Sequence, residues 1–471
     1  MKNYKLAWRN LWRNRRRTMI TASSVLFAVF FALIFRSLQL GSYDHMFTNT
    51  IQSYSGYLQI QQADWWEDKT VDNSFEFNET LKTRILQDEN VVTTIPRFES
   101  FALASNGPNT KGVMVMGIDP EKEDLLSGIR DKKVKYRLTP EAVQAVKGDE
   151  SLPQKTRNLI ELFEGTSFTY DGRLLSDLGL HPSKDIGHLP ALAEHTAFDN
   201  GDIIPGEPGV WLGDNLSAYL DLSIGDTLVL ISQGYHGTTA AGMYEIKGII
   251  RQPIPDIDNK IVYLPYDIAC QLFNAPERLT SIVLHLQDNS DQAIKETAAR
   301  LQSLLPENVR TTDWHVMNEV IISQMDADNK SGMIMIGILY LVIAFGVFGT
   351  VLMMTAERRR EFGMLVAIGM KRAKLASILS YEMFFIGLLG MVLGAITGLV
   401  AITYGVYHPI VFRGEMAAMF EDYGMEPIMK FNPADTYFLW QSAIVALMVI
   451  IALIYPVIKV ANLNVVNALR A

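Results

Sequence analysis

The sequence predicts an α-helical membrane bundle of four transmembrane helices that carries a large α+β domain outside the membrane. Three observations predict this fold class. Four apolar runs are long enough to cross a bilayer, basic residues gather on one side of those runs, and the stretch between the first two runs has the composition of a soluble protein. The average over 471 residues, 49% apolar and 20% charged, hides this division.

The apolar runs predict spans of about 20 residues each, at 18–40, 333–355, 378–406 and 436–458. A buried core helix is the alternative for any single run, and four runs with few charges favour a membrane bundle. The first run is expected to be retained rather than cleaved as a signal peptide. Arg36 and Gln39 near its end and Tyr43 just after it stand where a signal peptide would have small residues for cleavage.

The orientation follows from lysine and arginine in the short flanks, because such residues stay in the cytoplasm. Basic residues dominate segment 1–17, loop 356–377 and tail 459–471, whereas loop 407–435 is mainly acidic. Both termini and the 356–377 loop are therefore predicted to be cytoplasmic. The long stretch 41–330 and the 407–435 loop are predicted to lie outside.

The outside stretch 41–330 shows a nested order. Its flanks, about 41–100 and 287–330, are expected to form one α/β layer, and the part between them, about 101–286, is expected to be a β-rich subdomain with an insertion at 121–205. The predicted strands are 54–62, 91–96, 111–118, 227–232, 243–251, 261–264, 281–286 and 308–314, with 227–232 and 243–251 forming a hairpin. The predicted helices are 79–87, 154–163 and 291–305.

The third span contains a charge and regularly spaced glycines. Glu382 lies near its cytoplasmic end, where it either meets the preceding basic loop or serves as an interfacial residue. Gly390, Gly394 and Gly398 recur at every fourth position, which places them on one helix face and allows close approach of another backbone. This glycine face either packs against another helix of the same bundle or forms the contact of a dimer.

Several classes of site are excluded or disfavoured by the sequence. The net charge of −9 disfavours nucleic-acid binding. No Gly-Lys dipeptide is present for a phosphate-binding loop, and no HExxH or GxSxG occurs. The single cysteine, Cys270, is expected to be a small buried residue. His181, His188 and His195 are expected to be solvated loop residues rather than metal ligands.

The loop between the second and third spans carries the strongest remaining signal. It reads ERRREFGMLVAIGMKRAK from Glu357 to Lys374. Its apolar side chains recur at helical spacing among charges, at Phe362, Leu365, Val366 and Ile368. One interpretation is a helix that lies on the inner leaflet. The other is a short helix that docks in a groove of a cytoplasmic partner.

The same loop and the third span carry a family resemblance. The run ERRREFGMLVAIGMKRAKL, followed by YEMFFIGLLGMVLGAITG, resembles the signature of the FtsX-like, MacB-type ABC transporter permeases. The matching positions are Arg359, Arg360, Glu361, Gly363, Leu365, Ala367, Gly369, Glu382, Gly390, Gly394 and Gly398. The termini WRNLWRNRRRT and LNVVNALR also resemble family termini. VMVMGIDPEKEDLL and GVWLGDNLSAYLDLSIGDTLVL resemble segments of the lipoprotein-releasing LolC and LolE subunits most.

The resemblance implies an inner-membrane permease subunit that pairs with a second permease copy or paralogue and with a separate LolD- or MacB-type ATPase. ATP and magnesium would bind to that ATPase, so the chain itself is expected to bind no cofactor and to be no enzyme. The implied ATPase-coupling helix comprises Glu357, Arg358, Arg359, Arg360, Glu361, Phe362, Gly363, Met364, Leu365, Ala367, Gly369 and Met370. The family mechanism is mechanotransmission, in which the spans carry ATP-driven motion to a periplasmic porter layer and Sabre-like β subdomain.

The resemblance to LolC implies lipoprotein release from the inner membrane toward the outer membrane. The alternatives are MacB-like efflux or peptide export and an FtsX-like regulator of a periplasmic cell-wall hydrolase. In LolC a proline-bearing loop contacts a periplasmic lipoprotein chaperone. The corresponding loop 232–243 has no proline, which puts that role in doubt, and its candidate partner residues are Tyr235, His236, Thr238 and Thr239.

Overall fold

The computed structural model describes residues 3–13, 15–76, 78–412, 415–422 and 426–462. The chain divides into two compact units. One comprises Met1–His45, Ile321–Val411 and Ile428–Ala471, and the other comprises Met46–Val320 and Phe412–Pro427. Most of the predicted tail 459–471, including the LNVVNALR motif, lies outside the described residues.

The helices in the described residues are, in chain order, α1 (Asn3–Arg13), α2 (Arg15–Thr50), α3 (Glu79–Ile85), α4 (Pro120–Ser127), α5 (Pro140–Gly148), α6 (Gln154–Leu159), α7 (Asp171–Asp177), α8 (Leu189–Thr196), α9 (Asp214–Leu220), α10 (Pro255–Asp258), α11 (Tyr266–Leu272), α12 (Asp291–Gln302), α13 (Trp314–Met317), α14 (Glu319–Glu357), α15 (Arg359–Ala367), α16 (Arg372–Tyr407), α17 (Glu415–Asp422) and α18 (Thr436–Ala461). A π-helical turn, Ile51–Ser55, directly follows α2.

The strands in the described residues are β1 (Leu58–Gln62), β2 (Phe75–Glu76), β3 (Val91–Ser105), β4 (Thr110–Ile118), β5 (Tyr136–Arg137), β6 (Ser167–Phe168), β7 (Gly209–Gly213), β8 (Thr227–Gln233), β9 (Thr239–Ile250), β10 (Ile261–Pro265), β11 (Arg278–Leu279), β12 (Ser281–Leu286), β13 (Val309–Asp313), β14 (Ile410–Val411) and β15 (Ile428–Met429). The predicted hairpin is confirmed, because β8 and β9 pair antiparallel.

Three helical segments of the described residues are long and apolar enough to cross a membrane: Thr18–Thr50, Glu319–Gly346 and Arg372–Tyr407. A shorter apolar stretch, Thr436–Ile451, belongs to α18, so the fourth span stays a prediction. The helix α2 has 36 residues. At about 1.5 Å per residue it is roughly 54 Å long, which exceeds the ~30 Å hydrocarbon core. The helix must therefore continue beyond the membrane.

The second unit is built on one nine-stranded sheet in the order β13-β1-β12-β3-β4-β10-β7-β9-β8. Strand β3 also pairs with β8 through its last residues, such as Leu103 opposite Ile231. This additional pairing closes β3, β4, β10, β7, β9 and β8 into a ring. The interior of the ring is apolar and includes Val115, Leu212, Leu230 and Val262.

The predicted flanks lie together at the other end of this sheet. Strand β1 pairs antiparallel with both β12 and β13, and the apolar sides of α3 and α12 contribute to one core with these strands. Strand β12 was expected within the β-rich subdomain. It joins the flank layer instead, because its partners are β1 and the first half of β3.

The expected insertion 121–205 has a small core of its own. Helices α5, α7 and α8 and the strand pair β5–β6 enclose Leu138, Val143, Phe168, Leu174 and Leu192, which are almost fully buried. The segment Phe412–Pro427 lies within the predicted loop 407–435 and clusters with the second unit. There the Asn49 amide donates a hydrogen bond to the Glu426 carboxylate at 2.8 Å.

Candidate functional site

The predicted coupling segment contains a defined short helix. After α14 ends at Glu357, α15 runs from Arg359 to Ala367. Gly369 adopts φ = +103°, a conformation that favours glycine, and its N–H bonds to the Val366 carbonyl at 3.0 Å. This glycine ends the helix and lets α16 begin at Arg372.

A buried ion pair joins the start of this segment to α16. The Arg358 guanidinium donates to both carboxylate oxygens of Glu382, at 2.7 and 2.8 Å. Arg358 is 6% exposed and Glu382 is 3% exposed. The Arg358 Nε also lies 3.3 Å from Glu361. The predicted alternative in which Glu382 meets the basic loop is thus the one observed, and the paired charges position α15 against α16.

One face of α15 is buried within the chain itself. Phe362 is 3% exposed and packs in a core with Leu11, Leu375 and Leu379. The expectation that Phe362 faces a partner or the inner leaflet is therefore wrong, since helical spacing alone does not say which apolar side chains turn inward. Gly363 is buried beside it.

The opposite face of α15 and the turn after it are open. Met364 is 46% exposed, Leu365 38% and Ile368 85%. Exposed basic residues surround these apolar side chains, at Arg359, Arg360, Lys371, Arg372 and Lys374. Ala367 and Gly369 are also exposed, and Met370 and Val366 are half-buried. We name the set Met364, Leu365 and Ile368 with its basic surroundings the α15 face.

The spaced glycines of α16 pack against α2. A Cβ atom at Gly390 would lie 2.5 Å from the Ala22 carbonyl oxygen, and one at Gly394 would lie 2.7 Å from the Leu26 carbonyl oxygen. At Gly398 the nearest atom would be Leu33 Cδ1 at 3.1 Å. Of the two interpretations of this face, packing within the chain is therefore observed.

The candidate partner loop, residues 232–243, is bonded to neighbouring segments of the second unit, to which it belongs. Tyr235 N–H bonds to the Phe273 carbonyl at 2.8 Å, and the Arg278 guanidinium lies 4.5 Å from the Tyr235 ring centre. The His236 N–H donates to Asp72 at 2.7 Å. Thr238 bonds back to the Tyr235 carbonyl at 3.0 Å, and exposed Thr239 begins β9.

A buried polar cluster at the end of α2 was missed by the sequence interpretation. Arg97 is fully buried and donates to Glu123 at 2.9 and 2.6 Å. It also donates to the carbonyl of Tyr54, within the π-helical turn. The Tyr54 hydroxyl bonds to Glu99 at 3.2 Å, and burial followed by the Glu99 charge raises the pKa of Tyr54. A charged pair at 97 and 99 inside an apolar strand was the available signal.

The start of α14 is tied to the same turn. The Asn318 amide donates to Ser55 Oγ at 3.2 Å, and the Trp314 N–H bonds to the Tyr57 carbonyl at 2.9 Å. Asn318 is 6% exposed. The second unit therefore holds the end of α2 and the beginning of α14 side by side.

The remaining candidate side chains have ordinary structural contacts. Cys270 is buried, and burial chiefly raises the pKa of its thiol to about 11. His195 Nε2 lies 3.3 Å from Asp149, and the His181 N–H donates to Asp185 at 2.7 Å. Across the described residues, no group of three or more His, Cys, Asp or Glu side chains is placed to hold a metal ion.

Comparison with known proteins places these features in a family context. Residues 333–465 match the FtsX-like permease C-terminal domain. The chain is 22% identical over 202 residues to the lipoprotein-releasing system transmembrane protein LolC of Neisseria meningitidis serogroup B, which covers 42% of this chain and 48% of the relative. It is 26% identical over 258 residues to the macrolide export ATP-binding/permease protein MacB of Nitrobacter winogradskyi, covering 52% of this chain and 39% of the relative.

The chain therefore spans about half the length or less of these curated relatives. Among solved structures, the periplasmic region of MacB from Actinobacillus actinomycetemcomitans matches 59% of this chain and 97% of its own length, with 12% identity and a TM-score of 0.30.

Proposed function

Starting from the premise that residues 333–465 are an FtsX-like permease domain, we propose that the chain is the permease subunit of an ATP-driven ABC transporter. A separate ATPase subunit, with ATP and magnesium bound to it, docks on the α15 face. The observation that carries this proposal is an exposed apolar cluster on a short helix that a buried ion pair holds in place. Short amphipathic helices bind grooves through such clusters.

The contacts within each unit support a route for mechanical coupling. A push on α15 would pass through the Arg358–Glu382 pair to α16, and from α16 to α2 through the contacts at Gly390 and Gly394. Helix α2 continues into the π-helical turn. In the second unit, Arg97 and Glu123 then hold that turn to the sheet.

For the substrate we propose a lipoprotein, released from the inner membrane toward the outer membrane, because the LolC relative is named as lipoprotein-releasing. Both termini are cytoplasmic in this proposal, the second unit is periplasmic, and a second permease copy or paralogue completes the transporter. MacB-like efflux or peptide export is the second candidate, since the relative named as a macrolide export protein matches 52% of the chain and the LolC relative 42%.

Docking is tested by co-purification of the full chain with its co-expressed ATPase in mild detergent. Leu365→Glu and Ile368→Glu should each reduce ATPase recovery, because either change would bury an unpaired carboxylate in the complex, at a cost of several kcal/mol in order of magnitude. Leu162→Glu is the matched control, since Leu162 is 61% exposed but lies in the second unit. Equal ATPase recovery from all variants would refute docking on the α15 face.

Lipoprotein release is tested in vesicles that contain the permease, its ATPase and a labelled lipoprotein. Release should require both ATP and this chain. If the complex hydrolyses ATP and binds stably yet releases no lipoprotein above background, the substrate assignment fails while the permease assignment stands. Export of an added drug or peptide under the same conditions would favour the second candidate.

A further inference from the structure

The first helix of the chain, α1, packs in the membrane bundle through one narrow face. Ala7 and Leu11 are four residues apart, so they share a face of the helix, and both are buried. Leu11 belongs to the same core as Leu375 and Leu379, near the start of α16. The exposed side chains of α1 lie on its other faces.

Aromatic side chains form the face next to the buried one. Tyr4, Trp8 and Trp12 recur at every fourth position and are 42%, 50% and 54% exposed. Trp8 packs edge-on against Trp12 and against Phe385 of α16, with ring centres 6.3 and 5.5 Å apart. Phe385 lies roughly 20 Å along α16 from the first residue of that helix. The aromatic face of α1 is therefore beside the apolar part of α16 and not beyond its end.

The surface of α16 around Phe385 is suited to contact with lipid. Phe384, Leu388 and Leu389 are apolar and are 49%, 41% and 41% exposed. They belong to a helix that is long and apolar enough to cross a membrane. Tryptophan and tyrosine are enriched where the hydrocarbon of a bilayer meets its headgroups, because their rings are apolar with one polar edge. The aromatic face of α1 thus continues a lipid-facing surface.

The third face of α1 is basic and continues into the start of α2. Its exposed basic residues are Lys5, Arg9, Arg13, Arg15 and Arg16. Residues 1–43 contain no aspartate or glutamate. In the neighbouring α15, Glu361 lies 3.7 Å from Arg13 but also pairs with Arg358. The whole segment 357–382 carries six basic and three acidic residues, so the surroundings of α1 add positive charge rather than neutralise it.

This arrangement of charges disfavours the helix unless anions lie beside it. Lys5 and Arg9, like Arg9 and Arg13, are four residues apart, and like charges at this spacing repel each other across one helical turn. Basic side chains near the N-terminus of a helix also oppose the helix dipole, and Lys5 lies in the first turn of α1. An anionic surface next to the basic face offsets both effects.

A lipid surface fits these faces better than an acidic protein does. The basic face borders aromatic rings, and one of these rings contacts α16 beside its lipid-facing side chains. A soluble partner could pair with the cations, but it would have to enter the membrane to cover the aromatic rings. A phospholipid supplies an anionic phosphate and hydrocarbon together. Basic residues and tryptophan on one amphipathic helix are typical of binding to anionic lipids.

We propose that α1 binds anionic phospholipid. The acyl chains of the lipid contact Trp8, and its phosphate contacts Lys5 and Arg9. Leu11 packs in the core that contains Phe362 of α15, so the lipid-bound helix supports the buried side of α15. This lipid site is separate from the exposed α15 face, and lipid binding does not require the ATPase.

The test measures which lipid contacts the full chain in nanodiscs of phosphatidylglycerol and phosphatidylcholine. Cys270, the single cysteine, is replaced by serine, and a bimane fluorophore is attached to Phe384→Cys. One of the two lipids at a time carries brominated acyl chains, which quench bimane on contact. At equal mole fractions, brominated phosphatidylglycerol should quench bimane more strongly than brominated phosphatidylcholine.

A second probe on the same helix gives the reference for bulk lipid. Val400 is 64% exposed and lies roughly 24 Å from Phe384 along α16, away from α1. Bimane attached to Val400→Cys should be quenched about equally by the two brominated lipids.

Removal of one charge from the basic face should weaken the preference for phosphatidylglycerol. Each basic residue near an anionic surface contributes about a fivefold factor, so Arg9→Gln should lower the ratio of phosphatidylglycerol to phosphatidylcholine binding about fivefold. Arg9→Lys keeps the charge and should preserve the ratio. Arg130→Gln is the matched control, since Arg130 is exposed but lies in the second unit, and it should bind lipid like the wild type.

Equal quenching by the two brominated lipids at Phe384→Cys, or an unchanged ratio in Arg9→Gln, would overturn the lipid assignment. If Arg9→Gln keeps the lipid preference but no longer recovers the co-expressed ATPase, the basic face binds protein instead and the proposal is wrong. ATPase docking itself is decided by Leu365→Glu and Ile368→Glu, so the two proposals fail separately.

Discussion

Replacing Glu382 with glutamine should release α15 from α16. The change leaves the Arg358 guanidinium buried without its bidentate carboxylate partner. Breaking a buried pair from one side costs about 3–5 kcal/mol. Glu361 lies 3.3 Å from Arg358 and is half exposed, so it offsets part of the loss and the lower value, about 3 kcal/mol, is expected. At about 1.4 kcal/mol per factor of ten, the released population rises roughly 100-fold.

The assay is maleimide labelling of Phe362→Cys in membrane vesicles, because Phe362 is 3% exposed while α15 is docked. Cys270, the single cysteine of the chain, is first replaced by serine. In this background, Glu382→Gln should raise the labelling rate of Cys introduced at 362 by about two orders of magnitude if labelling follows the open population. Unchanged labelling would refute the role of the ion pair.

Two controls distinguish loss of the Arg358–Glu382 ion pair from a general loss of stability. Glu361→Gln should change labelling little, since partly exposed ion pairs contribute about 0–1 kcal/mol. Arg358→Met combined with Glu382→Leu should label far less than Glu382→Gln alone, because an apolar pair leaves no buried charge without a partner. If the double variant is labelled as fast as Glu382→Gln, an unpaired buried charge is not what releases α15.

Three further predictions concern stability, each measured by thermal unfolding of the full chain in mild detergent. Gly394→Leu should lower the free energy of unfolding by about 1–3 kcal/mol or more, because the larger side chain overpacks against α2. Gly337→Leu should not, since a Cβ atom at Gly337 meets open space. Equal effects of the two substitutions would exclude close packing of α2 on α16. Glu123→Gln should destabilise the second unit by about 3–5 kcal/mol because Arg97 stays buried, whereas exposed Glu121→Gln on the same helix should have little effect. Burial, followed by the Asp214 charge, raises the pKa of Asp258 to about 7 in the folded chain. The folded state therefore holds this proton more tightly, and stability should fall by up to about 1.4 kcal/mol per pH unit as pH rises from about 5 to about 7. Asp258→Asn should flatten that slope, and an unchanged slope would contradict the assignment.

The strand predictions show where local pattern suffices and where it does not. Strand β12 runs over the predicted 281–286 without change, and β4 starts one residue before the predicted 111–118. Strand β3 was expected to end at Pro96 but continues to Ser105. Arg97 and Glu99 lie beyond the predicted strand end. They are buried in the strand because Glu123, Tyr54 and Thr280 supply partners from distant parts of the chain.

For the candidate site, too, the sequence predicted some features and not others. The position of α15 follows from residue types that act within one or two helical turns, although the helix occupies only Arg359–Ala367 of the predicted coupling helix, which was expected to run from Glu357 to Met370. The identity of its buried face does not, since Phe362 and Leu365 are both apolar and both fit a helix. Leu11 and Leu379 decide the matter by packing on Phe362 and leaving Leu365 open.

The sequence by itself determined the long apolar helices, most short strands and the position of the α15 segment, because hydropathy, alternation and turn residues act over neighbouring positions. Only the tertiary structure decided that β3 closes a ring with β8, that the α16 glycines face α2, and that Arg97 and Arg358 are buried with carboxylate partners. Each of these outcomes depends on which distant residue supplies the partner, and a pairing between distant residues leaves no periodic signal in a single sequence.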